Sequence, residues 1–404
     1  MPDIFRKLIF LSGNGYANAK NNSEKGYDIR MLRKQLCIIL SLLCLMQLFP
    51  VLPVHAEEKE IAFILMEANT GCILKQEYAE EKRPVGSLAK LMTAYLTAKA
   101  IEQQQFSPDT VVTAGESVTG MKGAVIWLKA GDSITVRELL LGLLTGNAND
   151  AAAVLADKIS GSADKFVLDM NAAAFDLGMK STRFTTPQGF DDPQACSTAK
   201  DIALLCQAVL ACPVLEESLS TWRILILNQT VELVNENTLT RTFRNCKGLK
   251  ASHSPEAGYC LAAAAESGNM TCIAVVLNAP DEDSRFLLAK KLFNTGFAQY
   301  QITLPAFAEE FLRPLKIQNG TEASVLLELS SLPALTIPSG TQIQAVMVLP
   351  DFVRAPVKYH QQVGRICFYQ DKTLLCECAL LSSEEIPEIT ICSAGKKILH
   401  FLFS

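Results

Sequence analysis

The stretch Arg83-Pro-Val-Gly-Ser-Leu-Ala-Lys-Leu-Met-Thr-Ala-Tyr95 decides the fold of this chain. Pro84 and Gly86 punctuate the backbone, and an apolar run of helical period follows. A helix that starts near Ser87 brings Lys90, three residues on, back over the same face. A serine hydroxyl is a weak nucleophile until a base takes its proton, and a neutral lysine amine can take it. Alone, Ser-x-x-Lys reads more simply as a helix-capping serine beside a solvated lysine. The surrounding sequence has to choose between the two.

Upstream, residues 60–67 alternate and are rich in β-formers, and Asn69-Thr70-Gly71 turns the chain into Cys72-Ile73-Leu74. This predicts a hairpin that leads into the Ser87 helix. Downstream, helices are predicted over 136–144 and 151–159, with Thr145 to Asp150 as the loop between them. Further helices are expected over 163–177, with Gly178 just past its end, and over 199–210, capped by Ser197-Thr198. Residues 230–239 read as polar and extended, 259–265 and 272–277 as paired strands, and 284–297 as a helix. Strands, then helices, then strands and a closing helix predict an α/β fold, a sheet with a helical insertion. From about residue 305 only strand patterns remain, at 325–328, 342–348, 365–369 and 374–378. Gln370-Asp371-Lys372 is the turn of a last hairpin. These predict a small all-β sandwich domain of about 80 residues.

The chain has 404 residues, enough for two or three domains, and its net charge of −5 supplies no basic stripe for nucleic acid. Its four histidines, His55, His253, His360 and His400, are not paired at metal-ligand spacing. Cys376-Glu377-Cys378 is too close for a zinc loop and lacks a second pair, so neither a metal nor a cofactor is expected. Near the N-terminus Met31-Leu-Arg-Lys precedes an apolar stretch over 36–49, then Pro50, Pro53 and Val54-His55-Ala56. Basic head, apolar middle and small residue before Glu57 are the parts of a secretory signal over 31–56. An uncleaved anchor is the alternative, but the run is shorter than the roughly 20 residues a spanning helix needs. Residues 1–30 are polar and Gly/Asn-rich in their second half, and Met31 stands where a signal should begin. They read as an upstream extension of the natural start. Of thirteen cysteines, Cys37 and Cys44 fall in the signal; the others are scattered singly and read mostly as small buried hydrophobes.

Ser-x-x-Lys is the first of three motifs of penicillin-binding proteins and class A β-lactamases. Residues 57–385 resemble the D-alanyl-D-alanine carboxypeptidases, low-molecular-weight penicillin-binding proteins of the S11 serine peptidase family. The likeness extends through Ile64-Leu-Met-Glu-Ala-Asn-Thr-Gly71, Glu81-Lys-Arg-Pro84, Thr135-Val-Arg-Glu-Leu-Leu140 and Asn149-Asp-Ala-Ala152. It continues in Phe184-Thr-Thr-Pro-Gln-Gly-Phe-Asp-Asp192, Ser197-Thr-Ala-Lys-Asp201 and Glu256-Ala-Gly-Tyr-Cys260. The resemblance implies a transpeptidase-like catalytic domain over 57–304 and a β-domain over 305–388. It implies Ser87 as nucleophile, Lys90 as its base and Lys250 as the second cation that keeps Lys90 neutral. The backbone N–H groups of Ser87 and His253 would form the oxyanion hole.

Two positions depart from the family. Its Ser-x-Asn falls on Asn147-Ala148-Asn149, which puts a carboxamide where the family serine passes a proton to the leaving amine. Its Lys-Thr-Gly has become Lys250-Ala251-Ser252, which removes the hydroxyl that binds the substrate carboxylate and adds bulk beside the strand. His253 is either part of this substrate-binding edge or an exposed loop histidine.

The implied activity is removal of the terminal D-alanine from peptidoglycan stem peptides outside the membrane, with β-lactam antibiotics acylating the same serine. The alternative is an impaired relative that binds peptidoglycan or a partner. A β-lactamase is disfavoured, because no Glu-x-x-Leu-Asn lies between Asp150 and Leu205. The tail over 389–404 carries Lys396 and Lys397 followed by Ile398, Leu399, Phe401, Leu402 and Phe403. It is expected either to lie on a membrane surface or to pack on the β-domain.

Overall fold

The computed structural model describes residues 60–391 and Gly395. The upstream extension over 1–30, the signal expected over 31–56 and the tail from Lys396 to Ser404 lie outside the described residues.

Every residue of strand β1 (Ala62–Glu67) is buried. Phe63 and Leu65 enter one apolar cluster, while Ala62, Ile64 and Met66 enter another. A strand apolar on both faces belongs inside a layered structure. β1 pairs with β2 (Ile73–Glu77) across the expected hairpin. On its other side it pairs with β9 (Met270–Ala279), with Met66 opposite Ile273. Strands β8 (Gly258–Ser267) and β7 (Cys246–Ser254) complete an antiparallel sheet of order β2-β1-β9-β8-β7. β8 alternates in the same way, with Ala262 and Ala264 on one face and Ala263 and Ala265 on the other. Methyl groups on both sides let the flanking layers come close to the sheet.

One layer is the closing helix. Asp281 caps it through a 2.8 Å bond from the Ser284 amide. Its buried Phe286, Ala289, Leu292 and Phe293 pack on Leu65, Ala263 and Val276. The other layer is the insertion between β2 and β7. It contains α1 (Lys90–Glu102), α2 (Val136–Leu144), α3 (Asn149–Ser160), α4 (Ala163–Asp176), α5 (Ala199–Leu210), α6 (Glu216–Ser220) and α7 (Leu239–Thr242). The closing helix is therefore α8 (Glu282–Gln299). Two hairpins belong to the insertion: β3 (Val111–Thr113) with β4 (Ser133–Thr135), and β5 (Arg223–Ile226) with β6 (Val231–Val234). Thr135 and Glu138 form a reciprocal capping box that fixes the start of α2.

Two expectations need correction. α3 begins at Asn149, so Asn149 and Asp150 form a first helical turn instead of ending a loop. The stretch read as extended over 230–239 is strand only over Val231–Val234 and enters α7 at Leu239, and the turn of the β5–β6 hairpin lies just before it. Leu227, Asn228 and Gln229 all take positive φ in that turn, and no Gly or Pro marks it.

Beyond α8 the chain is β-rich. β10 (Tyr300–Thr303) pairs with β14 (Leu335–Pro338). β11 (Leu315–Gln318) lies between β12 (Ser324–Val325) and β16 (Val353–Arg354). A four-stranded sheet runs in the order β13 (Leu327–Leu329), β18 (Thr373–Ser382), β17 (Gln362–Gln370), β15 (Gln344–Val348). Phe368, Ile366, Leu380, Val357 and Leu315 centre its core. Gln370 faces Thr373 across the predicted turn, with Asp371 at φ +52. The cysteines among the described residues are free thiols, six of them buried.

Candidate active site

Gly86–Ala89 form a single 3-10 turn that runs into α1, and neither helix start carries a side-chain cap. Ser87 is therefore not a capping residue. Its turn is gripped by the segment 184–192. Gly86 and Gly189 both have positive φ, and a Cβ on Gly189 would stand 2.2 Å from the Gly86 carbonyl oxygen. Only glycine fits such a crossing. Thr93 Oγ1 donates to the Pro187 carbonyl at 2.8 Å. Beside it, Lys90 Nζ donates to the Gln188 carbonyl at 2.9 Å and to Ser87 Oγ at 3.3 Å.

Lys90 is wholly buried. Burial, with the Lys250 cation second, pushes its pKa well below the ordinary lysine value, and Glu236 opposes them. Lys250, on β7, is also buried and is held down to about 8. Its first cause is again burial; Glu236 raises it and Arg285 lowers it. Two ammonium groups close together in a poorly solvated site cannot both keep their protons cheaply. Lys90 is the one of the two that touches Ser87. A neutral lysine in that position is able to accept the hydroxyl proton.

β7 is the edge strand of the sheet. Ala251 is fully buried and lies in the apolar cluster that contains Leu239 and the inner residues of α8. Ser252 is also fully buried. Its hydroxyl faces Gly86, where an added Cβ would come within 2.7 Å of it, and it has no hydrogen-bond partner among the described residues. Its carbonyl accepts a 2.8 Å bond from Arg285 Nη1, which also reaches the Cys260 carbonyl at 3.2 Å. Arg285, 3% exposed on α8, thus clamps β7 to β8 from behind. His253 lies within β7, not in a loop, and its exposed ring stacks on Tyr259 with centroids 4.1 Å apart. Ser254 Oγ donates to Asp191 at 2.7 Å and ties the end of β7 to the segment that grips Ser87.

Asn147 follows α2 with φ +57. Its Nδ2 donates to the two Glu236 oxygens at 3.3 and 3.4 Å, and its buried Oδ1 has no partner among the described residues. Asn149 Nδ2 donates to the Lys122 carbonyl at 2.7 Å, and the Asn149 carbonyl accepts a long 3.5 Å bond from Gln188 Nε2. The buried Asp150 carboxylate accepts the amides of Ile126 and Leu128 at 3.0–3.1 Å. Exposed Trp127 is held between those two amides at φ +59.

Ser87 and Lys90 thus meet, and buried Lys250 acts on Lys90 electrostatically. Asn147 faces a carboxylate, and Asn149 is committed to a loop carbonyl. Ala251 and Ser252 both turn into packed surroundings. Sequence reasoning missed Gln188, Glu236 and Arg285 as contributors. Gln188 stood inside a quoted family segment, whereas Glu236 and Arg285 carry no motif.

The D-alanyl-D-alanine carboxypeptidase family model matches residues 53–281, and the C-terminal domain of penicillin-binding protein 5 matches 305–388. The chain is 29% identical over 330 residues to the D-alanyl-D-alanine carboxypeptidase DacF of Bacillus subtilis, covering 80% of this chain and 85% of that one. It is 31% identical over 336 residues to the carboxypeptidase DacC of Escherichia coli, covering 81% and 84%. Penicillin-binding protein 5 of Haemophilus influenzae superposes with a TM-score of 0.72 at 30% identity, over 81% of this chain and 97% of that structure. Penicillin-binding protein D2 of Listeria monocytogenes, solved with ampicillin bound, gives a TM-score of 0.53 at 32% identity over 58% and 96%. The chain belongs to the D-alanyl-D-alanine carboxypeptidase family, with a β-rich C-terminal domain of the penicillin-binding protein 5 kind.

Proposed function

We propose that this carboxypeptidase works through an acyl-enzyme on Ser87, with peptidoglycan stem peptides as substrate. The observation that carries this reading is the 3.3 Å contact between Ser87 Oγ and the buried Lys90 Nζ, beside a second buried lysine. Neutral Lys90 takes the hydroxyl proton as Oγ attacks the carbonyl of the penultimate D-alanine. The backbone N–H groups of Ser87 and His253 receive the oxyanion. The peptide C–N bond then breaks, the departing amine takes the proton held on Lys90, and D-alanine leaves. Water attacks the ester, and Ser87 recovers its proton as the shortened peptide departs. Charged Lys250 attracts the terminal carboxylate. A β-lactam acylates the same serine, a reading supported by the ampicillin- and cefotaxime-bound forms of the Listeria relative.

The reaction takes place outside the cytoplasm. The basic and apolar pattern of 31–56 delivers the chain there, and the Lys396–Lys397 tail with its apolar end rests on the membrane surface. No single described helix is long and apolar enough to cross a membrane.

Fluorescent penicillin labelling and release of D-alanine from a diacetyl-Lys-D-Ala-D-Ala peptide test the assignment together. Both should vanish in Ser87→Ala, and labelling that persists in that variant overturns it. A folded wild-type protein that neither labels nor releases D-alanine would instead be a binding member of the family. Its altered second and third motifs, and the Ser252 hydroxyl turned towards Gly86, give that outcome its physical reason.

A further inference from the structure

The second motif contains a group that its sequence did not announce. Asn147 cannot carry a proton as a hydroxyl would, yet its carboxamide is bonded through Nδ2 to both oxygens of Glu236. The surrounding structure aims that carboxylate. Glu236 is exposed between two buried neighbours, Asn235 and Asn237. Asn235 Nδ2 donates to the Thr221 carbonyl at 3.0 Å, and Asn235 Oδ1 accepts the Asn237 amide at 2.9 Å. Asn237 Oδ1 in turn accepts the Leu239 amide at 3.2 Å. With two buried side chains pegged into the protein, the residue between them is fixed in position.

The opposite wall is equally constrained. A Cβ on Gly146 would come within 2.7 Å of Leu233 Cδ2, so the loop before Asn147 lies directly on β6, the strand that ends two residues before Glu236. Asn147 itself holds a positive φ to reach across. Strained backbone at a non-glycine residue persists where the surroundings over-determine it.

We propose that Glu236 is a positioning residue of this active site: it fixes Asn147 beside the cleft and brings there the carboxylate that acts on the buried lysine pair. This rests on the assignment of Ser87, Lys90 and Lys250 made above. Among the described residues, the charged groups that act on Lys250 are Glu236 and Arg285 from α8, of which Glu236 is the negative one, and Lys250 in turn acts on Lys90 from α1. Burial and Arg285 both press Lys250 towards neutrality, and Glu236 opposes them. Lys90 feels the same carboxylate more weakly than it feels burial and Lys250.

Glu236→Gln keeps the shape and removes the charge, and Glu236→Asp restores the charge on a shorter arm. The full chain, labelled with 13C-lysine, gives the Lys250 titration directly, with its resonance identified by its loss in Lys250→Arg. In Glu236→Gln the Lys250 midpoint should move to lower pH. The alkaline limb of penicillin acylation should move with it, Glu236→Asp should recover part of the shift, and thermal unfolding should be unchanged. An unshifted Lys250 midpoint in Glu236→Gln overturns the proposal whatever the labelling shows. Labelling that survives in Ser87→Ala overturns the nucleophile instead and leaves the lysine titration to judge Glu236 on its own.

Discussion

The Ser252 hydroxyl points at Gly86, so closely that a methyl group on Gly86 would stand 2.7 Å from it. The third motif of this chain therefore fills the space beside the turn that carries Ser87. Ser252→Gly should open that contact and raise the rate of penicillin acylation. Ala251→Thr should behave differently, because Ala251 is buried in an apolar cluster. Adding a hydroxyl and a methyl there should cost about 1–3 kcal/mol of stability. A charge-bound hydrogen bond contributes roughly 1.5–3 kcal/mol, about ten- to a hundredfold in rate, if the new hydroxyl reaches the substrate carboxylate. Urea unfolding and acylation rates on the two single variants separate these effects. A faster Ala251→Thr of undiminished stability would mean that this position opens onto the cleft.

The lysine pair predicts a bell-shaped pH profile for acylation. A base works when neutral, so the rate rises as pH passes the depressed value of Lys90. The second cation works when charged, so the rate falls as pH passes about 8, the value of Lys250. Replacing Lys250 by Met removes a cation that lowers Lys90, so the acid limb should move to higher pH. An acid limb that stays in place would show that the two lysines do not sense one another.

Asp150→Ala should free the loop that carries Trp127. The carboxylate holds the amides of Ile126 and Leu128 and also that of Ala151 at 2.9 Å. Leaving buried amides unpaired should cost about 3 kcal/mol in urea unfolding. Trp127 fluorescence, isolated by Trp222→Phe, should become more mobile in anisotropy decay. A cost below about 1 kcal/mol would mean that other contacts hold the loop.

Export makes a separate prediction. The mature protein in the native envelope should begin at Glu57, which N-terminal sequencing reads directly. Removing the Met1 start codon should leave expression intact if Met31 initiates translation. Deleting Lys396 to Ser404 should release the mature protein from anionic liposomes in a sedimentation assay. Full-length mature protein that never pellets would show the tail to be structural.

The Ser87–Lys90 contact was legible in sequence because it is local: the two are three residues apart, and helical geometry does the rest. The longer helices of the insertion were legible for the same reason, since period and caps sit within each segment, whereas the one-turn α6 and α7 carry no such period. The β5–β6 turn was not, because three consecutive positive-φ residues there are Leu, Asn and Gln, without the glycine that usually marks such backbone. Glu236 and Arg285 escaped notice for a different reason. Each reaches the site from a distant part of the chain, and only the packed structure shows what it faces. Ala251 and Ser252 were recognised as departures, but the direction of each side chain depended on how β7 meets Gly86 and α8.

The pairing of β1 with β9 also dictates an order of events. Met66 finds its partner Ile273 only after the whole helical insertion has been made. A chain that emerges N-terminus first can close the β1–β2 hairpin early, but the middle of the sheet must wait for its late strands. Pairings so distant in sequence form slowly, because the loop must close before the contact repays it. Until β9 arrives, the apolar faces of β1 have no permanent cover.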